Sequence, residues 1–378
     1  MSLIVDEHRH YVSDPVRVRA FERAVAAVVR PGDVVVDLGS GTGILGLLAL
    51  RAGARHVYSI ESTGMIEVAR VLASANDLAH RITFLKRHST EAFLPEPADV
   101  LVADLVGGMG FEIGLFDIYA DARRFLKPDA RLIPRSLTMA VAPVEDVECF
   151  AETHFWSRTC AGFSMAPVLN WAANTAYPRL LAPGALLSDE VVSVVCEPGR
   201  SYSLFRLQGE VSCSRAGEMH GVAGWFEADL AEGVVLSNAP RATERLNRRN
   251  VFFPLDRAVA VRPGDRVSVH VRIRPTDLVI GWDVEVRNAS GVQRERHSTL
   301  DGMLMCREDM RASDPQSHPR LTPRGVARQT VLQLCDGRHA LAEIEGEVLR
   351  RHAPLFASVA DAQAFVAEVV LRYSELNA

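Results

Sequence analysis

The chain has 378 residues, a formal net charge of −5 and a pI near 6.2, so no global basic field marks it as a nucleic-acid binder. Hydrophobic residues make up 48% of it, yet no apolar run approaches the ~20 residues of a membrane span, and Met1-Ser2-Leu3-Ile4 lacks the charge-then-apolar pattern of a signal peptide. The cysteines (Cys149, Cys160, Cys196, Cys213, Cys306, Cys335) are scattered with no Cys-x-x-Cys pair, which predicts a reducing, cytoplasmic setting and no metal site.

In chain order, Val16, Ala20, Phe21, Ala24, Val25 and Val28 recur at helical spacing and predict an amphipathic helix over residues 15–30. Val34-Val35-Val36-Asp37-Leu38 is a β-branched run ending in a glycine turn, and Ile44 to Ala52 reads as the helix after it. Val57 to Glu61 predicts a second strand, Met65 to Ala75 a helix, Ile82 to Leu85 a third strand and Val100 to Asp104 another. Strands alternating with helices specify βαβ units and a mostly parallel sheet, a Rossmann-like α/β domain over residues 1–134. Past Pro134 the texture changes to short alternating runs such as Arg266 to His270 and Leu278 to Trp282, separated by Gly, Pro and Asn turns. An antiparallel barrel or sandwich is expected over 135–310, with an aromatic stretch at about 155–183 forming an arm. Pro315, Pro319 and Pro323 mark a linker over 311–323, after which helical periodicity returns for a small domain over 324–378.

The densest motif is Asp37-Leu38-Gly39-Ser40-Gly41-Thr42-Gly43. A glycine-rich turn after a buried strand lets backbone approach a ligand closely, and the helix behind it presents unpaired N–H groups. Glu61 follows Gly39 by 22 residues and ends the next strand, where a carboxylate can accept both hydroxyls of a ribose. This spacing alone also suits a nicotinamide cofactor.

The stretch from His8 to Glu145 resembles the catalytic half of protein arginine methyltransferases. Val36 to Leu45 is similar to their cofactor motif, and His8-x-x-Tyr11-Val12-x-Asp14-x-x-Arg17-x-x-x-Phe21 to the helix that closes over it. The resemblance implies S-adenosylmethionine as cofactor, with Arg17 on its carboxylate and His8, Asp37, Gly39, Gly41, Thr42, Gly43, Glu61, Ser62, Ser89 and Asp104 around it. Lys86 to Glu91 matches the adenine-contacting segment, which assigns Thr90 or its neighbour Glu91 to the adenine. Phe155-Trp156 with Gly162 to Met165 resembles the start of the family's dimerisation arm, implying a homodimer. Arginine methyltransferases hold the guanidinium between two glutamates on a loop after the fourth strand. Here Asp104 replaces the first, and Glu112 falls near the second with one residue fewer between. Tyr11 and Met109 are expected beside the acceptor.

The family's Thr-His-Trp loop is replaced by Leu246-Asn247-Arg248-Arg249-Asn250. Arg241, Arg245, Arg248 and Arg249 form either a solvated loop or a cluster that holds a carboxylate of a peptide, which assigns Arg248 and Arg249 to substrate. Residues 321–378 resemble PqqD-like leader-peptide-binding domains through Leu332-x-Leu334-Cys335-Asp336-Gly337-Arg338-His339-x-Leu341-x-Glu343-Ile344. That implies a winged-helix-like unit to which a leader adds as a strand, the alternative being a helical cap on the barrel. The expected activity is methylation of an amine in a ribosomally made precursor peptide, bound through leader and core. Alternatives are a protein arginine methyltransferase and a non-catalytic peptide-binding scaffold.

Overall fold

The computed structural model describes residues 4–111 and 114–374, and its contacts divide the chain into a unit over Met1–Met303 and a smaller one over Leu304–Ala378. In the first unit, helices α1 (Ile4–Ser13) and α2 (Pro15–Val28) precede β1 (Val34–Leu38), α3 (Ile44–Arg51), β2 (His56–Glu61), α4 (Met65–Ala75), β3 (Ile82–Lys86), β4 (Ala98–Val102), α5 (Leu115–Ala122) and β5 (Leu126–Ile133). The break between α1 and α2 is set by Asp14, whose carboxylate accepts the N–H groups of Val16 (2.9 Å) and Arg17 (3.2 Å), with Pro15 as the first helical residue.

The five strands form a parallel sheet in the order β3-β2-β1-β4-β5. Every residue of β1 is buried, which is why its sequence is a continuous apolar run rather than an alternating one. Strand order reverses direction between β1 and β4, so the carboxyl ends of these strands diverge into a crevice.

The β-rich half begins with β6 (Ser136–Val144), α6 (Val147–Thr153), β7 (Thr159–Cys160), β8 (Phe163–Ser164), α7 (Leu169–Ala173) and β9 (Tyr177–Arg179). It continues through β10 (Val192–Cys196), β11 (Phe205–Ser212), β12 (Gly217–Ala231), β13 (Val234–Ser237), β14 (Asn250–Val261), β15 (Arg266–Arg274), β16 (Val279–Asn288) and β17 (Gly291–Ser298). One sheet runs β10-β6-β12-β14-β9 with β13 on β12, and the other runs β11-β15-β16-β17. Strict alternation of buried and half-buried residues along β16 shows one face turned to the core, where Trp282 packs on Phe253. This is the sandwich-like barrel expected past Pro134. The stretch at 155–183 carries only a two-residue hairpin (β7, β8), α7 and β9, and it exposes Phe155, Phe163 and Trp171.

The second unit consists of α8 (Arg307–Ala312), α9 (Pro323–Leu334), α10 (Leu341–His352) and α11 (Val359–Tyr373) around Ala327, Val331, Ile344, Val348, Phe365, Val366 and Val369. Asp336 and Gly337 make the turn between α9 and α10; Asp336 accepts the Arg338 N–H at 2.9 Å, and Gly337 takes φ +77. Among the described residues this unit holds no strand. The segment between Ala312 and Pro323 carries Pro315 and Pro319, which cannot donate to a strand ladder.

Candidate functional site: a cofactor crevice beside an acceptor cavity

The crevice at the carboxyl ends of β1, β2 and β4 has a volume of about 460 Å³. Its floor is the glycine turn, with Gly39, Gly41 and Gly43 at φ +66, +53 and +75, the left-handed region that favours glycine. A Cβ at Gly41 would lie 2.6 Å from Nδ1 of His8, and one at Gly39 would lie 2.6 Å from Cδ2 of Leu105, so a side chain at either position would displace its neighbour as well as strain the backbone. Glu61, 8% exposed, closes the far wall. Its carboxylate accepts the Gly41 N–H at 3.0 Å and the Thr63 N–H at 2.8 Å, which pins the glycine turn to β2 and keeps lone pairs on each oxygen for a further donor. Ser62, Ser89 and Thr42 also line the crevice, and α1 covers it through His8 and Tyr11.

Three expected cofactor residues lie off this wall. Asp37 is fully buried beneath the turn and braces the start of α3 by accepting the Gly46 N–H at 2.8 Å. Burial raises its carboxyl to about 7 against the pull of that N–H, and its second oxygen has no hydrogen-bond partner. Gly43 supplies the backbone bend that starts α3. Thr90 is exposed and bonds the His88 ring at 2.8 Å, while Arg87 and His88 take wall positions that the sequence did not single out.

Arg17 joins two cavities. It lines the crevice and also an adjoining cavity of about 570 Å³. Though on a helix, it is only 6% exposed, with Nε donating to Oδ2 of Asp104 (2.5 Å) and Nη1 to the Tyr11 carbonyl (3.1 Å). Asp104 lies two residues past β4, and Arg248 meets it from the opposite side through two parallel bonds, Nη1 to Oδ1 and Nη2 to Oδ2, both 3.1 Å. Arg248 Nη1 also donates to the Val106 carbonyl. Burial would push the Asp104 carboxyl up, but the charges of Arg248 and Arg17 overcome it and hold the group well below the usual carboxylate range. Asp104 thus stays ionised.

The adjoining cavity is lined by Tyr11, Arg248 and Arg249, with an apolar side of Ala176, Pro178 and Ile280. Glu7 and Asp14 add acidic groups to it; Asp14 belongs to the motif of the covering helix, whereas nothing in the sequence points to Glu7. Asp14 also accepts the Asn247 N–H at 2.9 Å, tying the arginine loop to the head of α2. That tie joins residues 233 positions apart, so no local pattern announces it. Met109, expected beside the acceptor, is instead buried in the barrel core, filling the space over Gly224, where a Cβ would come within 2.4 Å of its sulfur. Glu112 lies outside the described residues.

A nucleoside carrying an amino acid matches these groups: a paired-hydroxyl acceptor at Glu61, a backbone cradle built of glycines, and a guanidinium at Arg17 for a carboxylate. Such a crevice at the switch point of a 3-2-1-4-5 parallel sheet is where open α/β folds bind a nucleotide-type cofactor.

Comparison with known proteins narrows the class. Residues 135–286 match the family model of the arginine methyltransferase oligomerization subdomain, and residues 19–136 match that of ribosomal protein L11 methyltransferase. The chain is 26% identical over 293 residues to protein arginine N-methyltransferase 6 of Xenopus tropicalis, covering 72% of this chain and 85% of that one. It is 27% identical over 296 residues to protein arginine N-methyltransferase 1 of Chlamydomonas reinhardtii, covering 74% and 85%. Its fold matches the Trypanosoma brucei PRMT1 enzyme-prozyme heterotetrameric complex with AdoHcy at a TM-score of 0.70 and 18% identity, over 77% of this chain and 96% of that one. The chain is an S-adenosylmethionine-dependent methyltransferase, and its similarity to the arginine methyltransferases extends over 72–74% of its length. Neither family model reaches the unit beyond Met303.

Proposed function

We propose that the chain is a protein arginine N-methyltransferase, moving a methyl group from S-adenosylmethionine to a guanidinium nitrogen of a peptide or protein. The observation that carries this reading is Asp104: a buried, ionised carboxylate on the wall of the cofactor crevice whose two oxygens accept a guanidinium fork. Bound S-adenosylmethionine supplies a methyl on a positively charged sulfur, open to in-line attack by a lone pair. Glu61 and the glycine turn fix the nucleoside end, and Arg17 holds the amino-acid end. Asp104 orients the acceptor by charge and by hydrogen bonds. Held so far below the usual range, its carboxyl is a poor store for the departing proton, so its part is positioning.

Homodimer formation belongs to the same proposal. The match to an oligomerization subdomain and the exposed Phe155, Phe163 and Trp171 of the 155–183 arm support it. Six unpaired cysteines accord with a cytoplasmic location. The precursor-peptide reading draws on the Asp336-Gly337 turn between two helices, and it differs in its acceptor, an amine. The deciding experiment incubates the protein with S-adenosylmethionine and peptides carrying either one arginine or one lysine with a free N-terminus, and maps each added methyl by fragmentation mass spectrometry. Methyl on arginine alone is expected. Methyl on the lysine or N-terminal amine with arginine untouched would replace this reading by the amine one.

A further inference from the structure

The seat that Asp104 offers to a guanidinium is filled by the chain's own Arg248. Its guanidinium makes the two parallel bonds to the carboxylate and lies 5.5 Å from the Tyr11 ring and 5.8 Å from the Phe226 ring. A carboxylate fork with aromatic rings beside it is the chemistry that recognises an arginine side chain. Arg248 sits at the boundary between the cavities: Asp104 lines the cofactor crevice, and Arg248 lines the cavity open to solvent. Arg17 takes one oxygen of the same carboxylate from its Nε, so the two arginines leave it no further side for a second fork.

The loop that carries Arg248 spans 238–249 and contains no helix or strand beyond a single bridge at Arg245. It is anchored at Asn238, which donates to the carbonyls of Gly108 and Arg249, and at Asn247, which donates to Asp14. Both anchors are made by residues other than Arg248. These anchors remain when the Arg248 side chain is replaced, although its own bonds to Val106 and Asp104 are lost.

We propose that Arg248 is the acceptor-selecting residue of this site: it occupies the position of a substrate guanidinium, and an acceptor arginine reaches Asp104 only by displacing it. The consequence is weak capture of isolated arginine side chains. Acceptors must bring enough binding from flanking residues to offset the lost pair, which Arg249 and the apolar side of the cavity are placed to supply.

This inference rests on the arginine reading above, and two measurements keep the two apart. The first is calorimetric binding of ethylguanidine, a bare guanidinium probe, to the S-adenosylhomocysteine-loaded protein. Arg248→Ala and Arg248→Gln are expected to bind it at least roughly tenfold more tightly than the unaltered chain, the gain of removing an occupant with charge-assisted bonds. The second is steady-state methylation of an arginine peptide. There the same variants should lower KM for the peptide by a similar factor and change KM for the cofactor less, because Glu61 and the glycine turn are untouched and Arg17 keeps its bond to Asp104. Melting curves of both variants check that they stay folded on the remaining Arg17–Asp104 pair. Unchanged or weaker ethylguanidine binding in both folded variants would overturn the role given to Arg248. Tighter ethylguanidine binding without methylation of any arginine peptide would uphold it while refuting the proposed reaction.

Discussion

The cofactor crevice and the adjoining cavity share Glu7, Tyr11 and Arg17, and they are assembled in opposite ways. The crevice comes from neighbours in sequence: a strand, a glycine turn, a helix and the acid ending the next strand, with Gly41 bonded to Glu61 only 20 positions away. The cavity is assembled from groups more than 140 positions apart, as the Arg248–Asp104 and Asn247–Asp14 contacts show. In the crevice, groups are held by backbone geometry and stay available to a ligand. Where the two meet, the Asp104 carboxylate on the crevice wall is already held by two cations, one of them reaching across from the cavity. A site of the first kind tolerates change in the rest of the chain, whereas a site of the second kind is retuned by a single loop residue.

The largest test of this contrast is Asp104→Asn. Removing the charge shared by the buried Arg17 and the half-buried Arg248 should cost about 3–5 kcal/mol of stability, since breaking a buried pair leaves its partners uncompensated. Urea unfolding would show this as a large drop in midpoint, and a loss under about 1 kcal/mol would mean that the pair is peripheral.

A smaller effect separates the two buried carboxylates by sign. Burial holds Asp37 at about 7, above its ordinary 3.8, so the folded chain binds this proton more tightly than the unfolded one. Its contribution to stability is full below about pH 4 and is lost as pH rises through 7. Asp104 is shifted the other way, and its contribution is present above about 3.8 and lost only in more acidic solution. Asp37→Asn should therefore flatten the pH dependence of stability between 4 and 7, where the unaltered residue adds a slope of up to roughly −1.4 kcal/mol per pH unit. Equal slopes for both proteins would place the Asp37 carboxyl near its ordinary value.

The same contrast explains what could be read from the sequence. The parallel sheet, the helix over Met65–Ala75 and the glycine turn follow from periodicity and a contiguous motif. Strand β5 (Leu126–Ile133) escaped, since half-buried and exposed residues dominate it and its Lys127-Pro128-Asp129 core looks like a turn. Arg17 was assigned to a carboxylate by family likeness alone; its burial against Asp104 is a tertiary fact. Met109 was misplaced because nothing local shows that Gly224, 115 positions on, leaves a hole for it. Arg248 was read as either solvent-exposed or peptide-binding, since no spacing rule joins it to Asp104. The Asp336-Gly337 turn between two helices was legible as a contiguous motif, and among the described residues the C-terminal unit is helical.

The central claim is that Glu61 and the glycine turn bind S-adenosylmethionine, and calorimetric titration with S-adenosylhomocysteine tests it most directly. The account predicts saturable binding at one site per chain, weakened by about 1–3 kcal/mol in Glu61→Ala, the range for hydrogen bonds to a charged group. No binding to the unaltered protein, or the same affinity in the folded variant, would contradict it.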